Sequence, residues 1–120
     1  MVKKTLVMGA SDNPGRYSYL AINMLRQKGY PVVAIGRKKT AVADVAVTTE
    51  EEPYHDIHTV TLYLNPQNQQ QYYSYIISLH PERIIFNPGT ENPELAQLAK
   101  ENNISTMEAC TLVLLSTGQF

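Results

Sequence analysis

The sequence predicts a doubly wound α/β fold built on a single, mainly parallel, five-stranded sheet. Short apolar runs that suit buried strands alternate along the 120 residues with segments whose apolar side chains repeat at helical spacing. The connections are short, and parallel strands joined through helices form right-handed crossovers. No linker or internal repeat interrupts the alternation, so we expect residues 1–120 to form one domain. The polar run Gln69-Gln70-Gln71 is predicted on a helix surface.

The first half of the chain contains two predicted strands and one helix. Residues 4–8 are apolar enough for a buried strand that ends at Gly9, and residues 32–35 form the same kind of run before Gly36. Between them, apolar side chains recur at helical spacing on one face, at Tyr17, Leu20, Ala21, Met24 and Leu25. Residues 40–57 are the least regular stretch, and we predict a short excursion there that joins the second strand to the third.

The second half continues the alternation with three more strands. The predicted strands are residues 59–64, 83–86 and 104–107. Two helices begin with an asparagine cap followed by proline, at Asn65-Pro66 and Asn92-Pro93, because proline is tolerated at the first helical position. A short helix is expected at residues 111–116.

The composition excludes several classes of protein. Ten basic and eleven acidic side chains give a net charge of -1, whereas a general binder of nucleic acid or anionic membranes carries a basic excess. The single cysteine, Cys110, excludes an intramolecular disulfide framework and is typical of a reducing compartment. No segment resembles a signal peptide or approaches the ~20 apolar residues of a membrane span. We therefore expect a cytoplasmic protein.

Four connections are candidates for a ligand site. In open parallel sheets, ligands bind beyond the carboxyl ends of the strands, where the strand order reverses. Residues 9–16, 36–39, 64–66 and 87–92 are expected there. Their candidate ligand-binding residues are Gly9, Ala10, Ser11, Asp12, Asn13, Gly15, Arg16, Gly36, Arg37, Lys38, Lys39, Leu64, Asn65, Asn87, Pro88, Gly89 and Asn92.

The first of these connections has the composition of a phosphate-binding loop. Glycine and small, turn-forming residues between positions 9 and 16 let backbone N–H groups approach a ligand at the start of a helix, whose dipole favours an anion. Ser11 adds a hydroxyl, and Arg16 adds a forked, permanent cation. The segment is neither a Walker loop nor the G-x-G-x-x-G dinucleotide fingerprint. A simple strand-to-helix turn is the alternative interpretation.

The residues after the second strand indicate which nucleotide fits. An NAD site normally has an acidic residue near this position, which binds the ribose hydroxyls. This chain has Arg37, Lys38 and Lys39 instead, and three cations suit an extra phosphate on the ribose. NADP carries such a phosphate at the 2′ position and coenzyme A (CoA) at the 3′ position. A solvated basic loop is the alternative interpretation.

No arrangement of side chains in the sequence points to catalysis. A transferase or ligase needs a nucleophile or general base close to the reacting group, whereas His55, His58 and His80 lie away from the predicted crevice. Cys110 lies near the end of the last strand, where we expect a structural thiol because no histidine or cation neighbours it in sequence. Metal-ligand spacing is also missing. We therefore predict neither catalytic residues nor a metal site.

The opening of the chain resembles a known family. Residues 9–19 (GASDNPGRYSY) and 29–32 (GYPV) are similar to the start of the small CoA-binding proteins of bacteria. Those proteins are single Rossmann-like domains, similar to the nucleotide-binding part of the succinyl-CoA synthetase α subunit. The resemblance implies CoA or an acyl-CoA as ligand and adds Ser18 to the candidate site. It continues more weakly at Pro66, Gly89, Asn92 and Cys110.

The chain departs from this family at the acyl or pantetheine end of the ligand. Many members have an aromatic residue followed by arginine at the end of the third strand, where this chain has Tyr63 followed by Leu64. Around Cys110 the family often has aspartate and arginine, where this chain has Glu108 and Ala109.

Three functions remain open at this point. The first is a module that binds CoA or an acyl-CoA without catalysis, with its diphosphate on residues 11–16 and its 3′-phosphate on residues 37–39. The second is an NADP-binding domain, either an oxidoreductase or a sensor, which the same basic loop would suit. The third is a protein-interaction subunit with a vestigial nucleotide crevice, because the tyrosines at 72–75 are favoured at interfaces. A homo-oligomer or a protein partner is compatible with all three.

Overall fold

The computed structural model describes residues 2–120 and confirms the doubly wound α/β architecture. Over these residues the sheet has seven strands in the order β3-β4-β2-β1-β5-β6-β7. Their bounds are β1 Thr5–Ala10, β2 Val32–Gly36, β3 Thr40–Val42, β4 Val45–Thr48, β5 Thr59–Leu62, β6 Arg83–Phe86 and β7 Ser105–Glu108. Neighbouring strands are parallel except for β3 and β4, which pair antiparallel.

The predicted count of five strands was too low, because residues 40–57 contain the β3–β4 hairpin. Its strands have only three and four residues. The turn between them passes through Ala43, whose φ is 54°. The turn contains no glycine and therefore no Asn-Gly pair, so the usual sequence signal of a hairpin is missing. Arg26 fixes the turn by a two-pronged ion pair with Asp44, at 2.8 and 2.9 Å.

Four of the helices begin where the sequence predicts, and the single helix expected from Pro66 is divided into two. The helices are α1 Tyr17–Gln27, α2 Pro66–Gln69, α3 Tyr73–Ser78, α4 Pro93–Glu101 and α5 Thr111–Ser116, with a 3₁₀ turn at Gln70–Tyr72 between α2 and α3. Both asparagine caps are formed: the Asn65 side-chain oxygen accepts from the Asn68 N–H at 2.8 Å, and that of Asn92 accepts from the Glu94 N–H at 3.1 Å. None of the helices within residues 2–120 combines the length and the apolar character that a membrane span requires.

Apolar side chains cover both faces of the sheet. One face packs against α3 and α4 and includes Leu6, Met8, Leu62, Ile84, Phe86, Ile76 and Leu95. The other packs against α1 and α5 and includes Val7, Ala34, Ile85, Ile22, Leu25 and Leu115. Because the helices occupy the faces, the loops at the carboxyl ends of the strands are left to line a crevice.

Candidate functional site

The four candidate connections meet at one edge of the sheet. They follow β1, β2, β5 and β6, which are adjacent in the order β2-β1-β5-β6. The direction in which successive strands are added to the sheet reverses at β1, since β2 lies on one side of it and β5 on the other. The candidate site is therefore the crevice at the switch point of the sheet, where ligands of doubly wound folds bind.

Two glycines let the loops of this crevice come close together. Gly9 has φ 87°, and a Cβ there would lie 3.0 Å from the Tyr63 carbonyl carbon and 3.1 Å from a methyl of Leu64. A Cβ on Gly36 would clash with the carbonyl oxygen of Ala10. A side chain at either position would push neighbouring strands apart at the crevice. Both glycines are therefore needed by the fold itself, before any ligand is considered.

The glycine loop holds its own shape through hydrogen bonds. The Asn13 N–H donates to Ser11 Oγ at 3.1 Å, the Gly15 N–H donates to Asn13 Oδ1 at 2.9 Å, and the Arg16 N–H donates to the Asn13 carbonyl at 3.0 Å. The backbone N–H groups of residues 13, 15 and 16 are therefore already hydrogen-bonded within the loop. Among the described residues, the N–H groups of Tyr17 and Ser18 in the first turn of α1 have no hydrogen-bond partner.

An ion pair joins the glycine loop, residues 9–16, to the basic loop, residues 37–39. Asp12 Oδ2 accepts from Thr40 Oγ1 at 2.8 Å and lies 3.3 Å from Lys38 Nζ. The Thr40 hydrogen bond, and after it Lys38, holds the pKa of the Asp12 carboxyl below its usual value. Arg37 and Lys39 are exposed and make no ion pair within residues 2–120. The basic loop therefore offers two free cations and one that is already paired.

Buried Gln69 builds the opposite wall of the crevice. Its side chain is completely buried, so its predicted place on a helix surface was wrong. Gln69 Nε2 donates to the carbonyl oxygens of Leu64 and Thr90, both at 2.8 Å, and its Oε1 accepts from Asn92 Nδ2 at 2.9 Å. Asn92 Nδ2 also donates to the Tyr73 hydroxyl at 2.8 Å. This network ties the connection after β5 to the connection after β6.

Asn87 is likewise occupied by the protein's own structure. Its Nδ2 donates to Thr61 Oγ1 at 2.7 Å and to the Leu62 carbonyl at 2.9 Å, while its Oδ1 accepts from the Thr111 N–H at 2.9 Å. It thereby joins β5, β6 and the start of α5. Pro88 and Gly89, which follow it, are exposed on the crevice side of the chain.

Among the side chains of residues 2–120, the Tyr63 hydroxyl is the buried polar atom that lacks a hydrogen-bond partner. Burial raises the pKa of Tyr63 to about 12, so the phenol stays protonated at neutral pH. Half-buried Cys110 is the residue that precedes α5. Cys110 lies near the end of the last strand, as the sequence predicts, whereas the burial of the Tyr63 hydroxyl was not predicted.

The histidines lie away from the crevice. His58 precedes β5, so it lies at the amino edge of the sheet, and its Nε2 is 3.1 Å from a carboxylate oxygen of Glu82. Within residues 2–120, no group of three His, Cys, Asp or Glu side chains is arranged to hold a metal ion.

Comparison with known proteins identifies the family. The CoA binding domain family matches residues 3–116, while no curated protein matches the chain. The solved structure of an uncharacterized protein is 48% identical, with a TM-score of 0.96 over 100% of this chain and 99% of that one. A hypothetical protein from Pyrococcus horikoshii OT3 is 23% identical, with a TM-score of 0.87 over 97% of this chain and 83% of the other. A protein from Thermus thermophilus is 19% identical, with a TM-score of 0.85 over 99% and 91%. These likenesses of fold accompany a family match over nearly the whole length, and this chain belongs to the CoA-binding domain family.

Proposed function

We propose that residues 1–120 form a single domain that binds CoA or an acyl-CoA at the carboxyl edge of the sheet, without catalysis of its own. The observation that carries this proposal is the family match over residues 3–116, together with a basic loop beside the glycine loop. A cytoplasmic location belongs to the proposal, because the single cysteine suits a reducing compartment.

The diphosphate of CoA is assigned to the start of α1. The free N–H groups of Tyr17 and Ser18 and the exposed Arg16 can donate to its oxygens, as can the Ser11 hydroxyl. Because the N–H groups of Asn13 and Gly15 are already used, we move the diphosphate towards the helix from the loop centre that the sequence favoured.

The 3′-phosphate and adenine are assigned to the two walls. Arg37 and Lys39 would meet the 3′-phosphate, since they are free, and Lys38 would share it with Asp12. The adenine would lie between residues 64–65 and the exposed turn at Pro88 and Gly89. We expect Asn87 and Asn92 to shape this wall rather than donate to the ligand, because their amides are already bonded.

The tyrosines at 72–75 serve the fold. Tyr75 is buried and donates its hydroxyl hydrogen to the Glu52 carbonyl, and the Tyr73 hydroxyl donates to Glu94 while accepting from Asn92. Their abundance therefore no longer favours a protein-interaction subunit over a ligand-binding domain.

Calorimetry and mass spectrometry test the proposal together. Purified protein should bind CoA with one site per chain and should bind NADP more weakly, and native mass spectrometry should detect CoA or an acyl-CoA carried through purification. Acetyl-CoA and CoA compared in the same titrations show whether the site distinguishes the acyl group. Absence of CoA binding by folded protein, or tighter binding of NADP, would reject it.

A further inference from the structure

Strand β7 ends the sheet with an open hydrogen-bonding edge. All four of its residues are exposed, and β6 is its neighbour in the sheet. The Ser105 N–H donates to the Glu82 carbonyl at 3.2 Å, and the Ala109 N–H donates to the Phe86 carbonyl at 3.1 Å. Because backbone groups alternate along a strand, the N–H and C=O of Thr106 and Glu108 point outward.

The two edge strands of the sheet differ in how well they are protected against pairing with a strand of another chain. At the other end, β3 has three residues and directly follows the cations of residues 37–39, which discourage strand pairing. β7 has neither proline nor lysine, and it pairs with β6 in uniform register without a bulge. An unprotected edge of this kind is a template for another strand.

We propose that β7 pairs antiparallel with β7 of a second copy of this chain about a two-fold axis. Thr106 then lies opposite the partner's Glu108, Glu108 lies opposite the partner's Thr106, and the two Met107 side chains meet on the axis. In this register every outward N–H and C=O of the strand finds a partner. Met107 is 36% exposed, and its flexible side chain suits a self-contact on a symmetry axis.

Charge favours a second copy over another partner. Thr106 and Glu108 are in register with Ile84 and Phe86, whose side chains pack towards α4, so they share the α4 side of the sheet. Lys100 of α4 and Thr106 line the same groove on that side. The partner's Glu108, lying beside Thr106, would meet Lys100, and the symmetry repeats the contact. Neither Lys100 nor Glu108 makes an ion pair within residues 2–120.

The geometry of closure also favours this pairing. Pairing of β7 with β3 of another copy would be head-to-tail and would continue into a ring or an open filament, whereas the two-fold contact closes at a dimer. The proposed interface involves no residue of the crevice, so the dimer can be tested independently of CoA binding.

Sedimentation equilibrium across a wide concentration range tests the dimer. Thr106→Pro removes one outward N–H per strand but no bond to β6, because that N–H faces away from β6. We expect this variant to keep its circular dichroism and to dimerise at least about tenfold more weakly. Lys100→Glu and Glu108→Lys alone should also weaken the dimer, and the two together should restore it. Lys28→Glu, on an exposed residue after α1, controls for the change in net charge.

Three results would overturn the proposal. The first is a wild-type chain that stays monomeric at millimolar concentration. The second is a folded Thr106→Pro variant that dimerises like wild type. The third is a double variant, Lys100→Glu/Glu108→Lys, that dimerises no more tightly than either single variant.

Discussion

The extra phosphate of CoA provides a direct test of the basic loop. Lys38 is partly neutralised by Asp12, 3.3 Å away, so Arg37 and Lys39 remain to bind the 3′-phosphate. Both are exposed, and an exposed charge pair contributes about 0.2–1 kcal/mol. Two such contacts give about 0.4–2 kcal/mol, so CoA should bind about 2- to 30-fold more tightly than dephospho-CoA. Higher salt should reduce this ratio, because exposed charges are screened.

Calorimetry with matched variants separates this loop from the rest of the site. The double variant Arg37→Ala/Lys39→Ala should bind CoA and dephospho-CoA with nearly equal affinity, while its affinity for dephospho-CoA stays close to that of wild type. Lys28→Ala removes a cation at the end of α1 and should leave the ratio unchanged. If wild type binds the two ligands equally, the basic loop has no role in recognition. If the ratio survives in the double variant, the phosphate binds elsewhere.

Three further results are expected from single substitutions. Gln69→Ala should lower the free energy of unfolding in urea by about 2–4 kcal/mol, because Asn92 and two backbone carbonyls lose a buried partner; a similar loss in the exposed neighbour Gln70→Ala would refute this reasoning. The Thr40 hydrogen bond, and after it Lys38, lowers the pKa of Asp12 from its usual 3.8, so these contacts stabilise the fold above that pH, and the stabilisation is lost as the pH falls through the lowered pKa. Asp12→Asn should therefore lose less stability than wild type as the pH falls below the usual 3.8, and urea midpoints that run parallel in the two proteins would count against these contacts. Cys110→Ser should bind CoA like wild type in calorimetry, and a large loss of affinity would give the thiol a part in the site.

The sequence was a good guide to elements that bury continuous apolar runs. Residues 59–62 are completely buried as β5, and the β-branched and aromatic residues of the segment 59–64 are the signal that predicts this strand. The β3–β4 hairpin was missed because its exposed and buried residues alternate over only a few positions and its turn uses Ala43 in place of glycine. Short, half-exposed strands need their neighbours to be recognised, and those neighbours are distant in sequence.

The candidate site was predictable in its place but not in its contacts. Parallel topology alone brings the connections after β1, β2, β5 and β6 to one edge. The Asp12–Lys38 pair depends on where two flexible side chains meet, and no periodicity reports that. The burial of Gln69 was not predictable from the sequence for a similar reason. Residues 69–71 are all glutamine, yet the first is buried and the next two are exposed.

The contact between Gly36 and the Ala10 carbonyl has a consequence for engineering the molecule. No side chain can be introduced at Gly36 without displacing β1, so the point where the basic loop leaves the sheet is fixed. The next three residues are exposed, and the contact described for them is the ion pair of Lys38 with Asp12. A library that varies residues 37–39 and leaves Gly36 unchanged would therefore sample new ligand preferences on an unchanged scaffold.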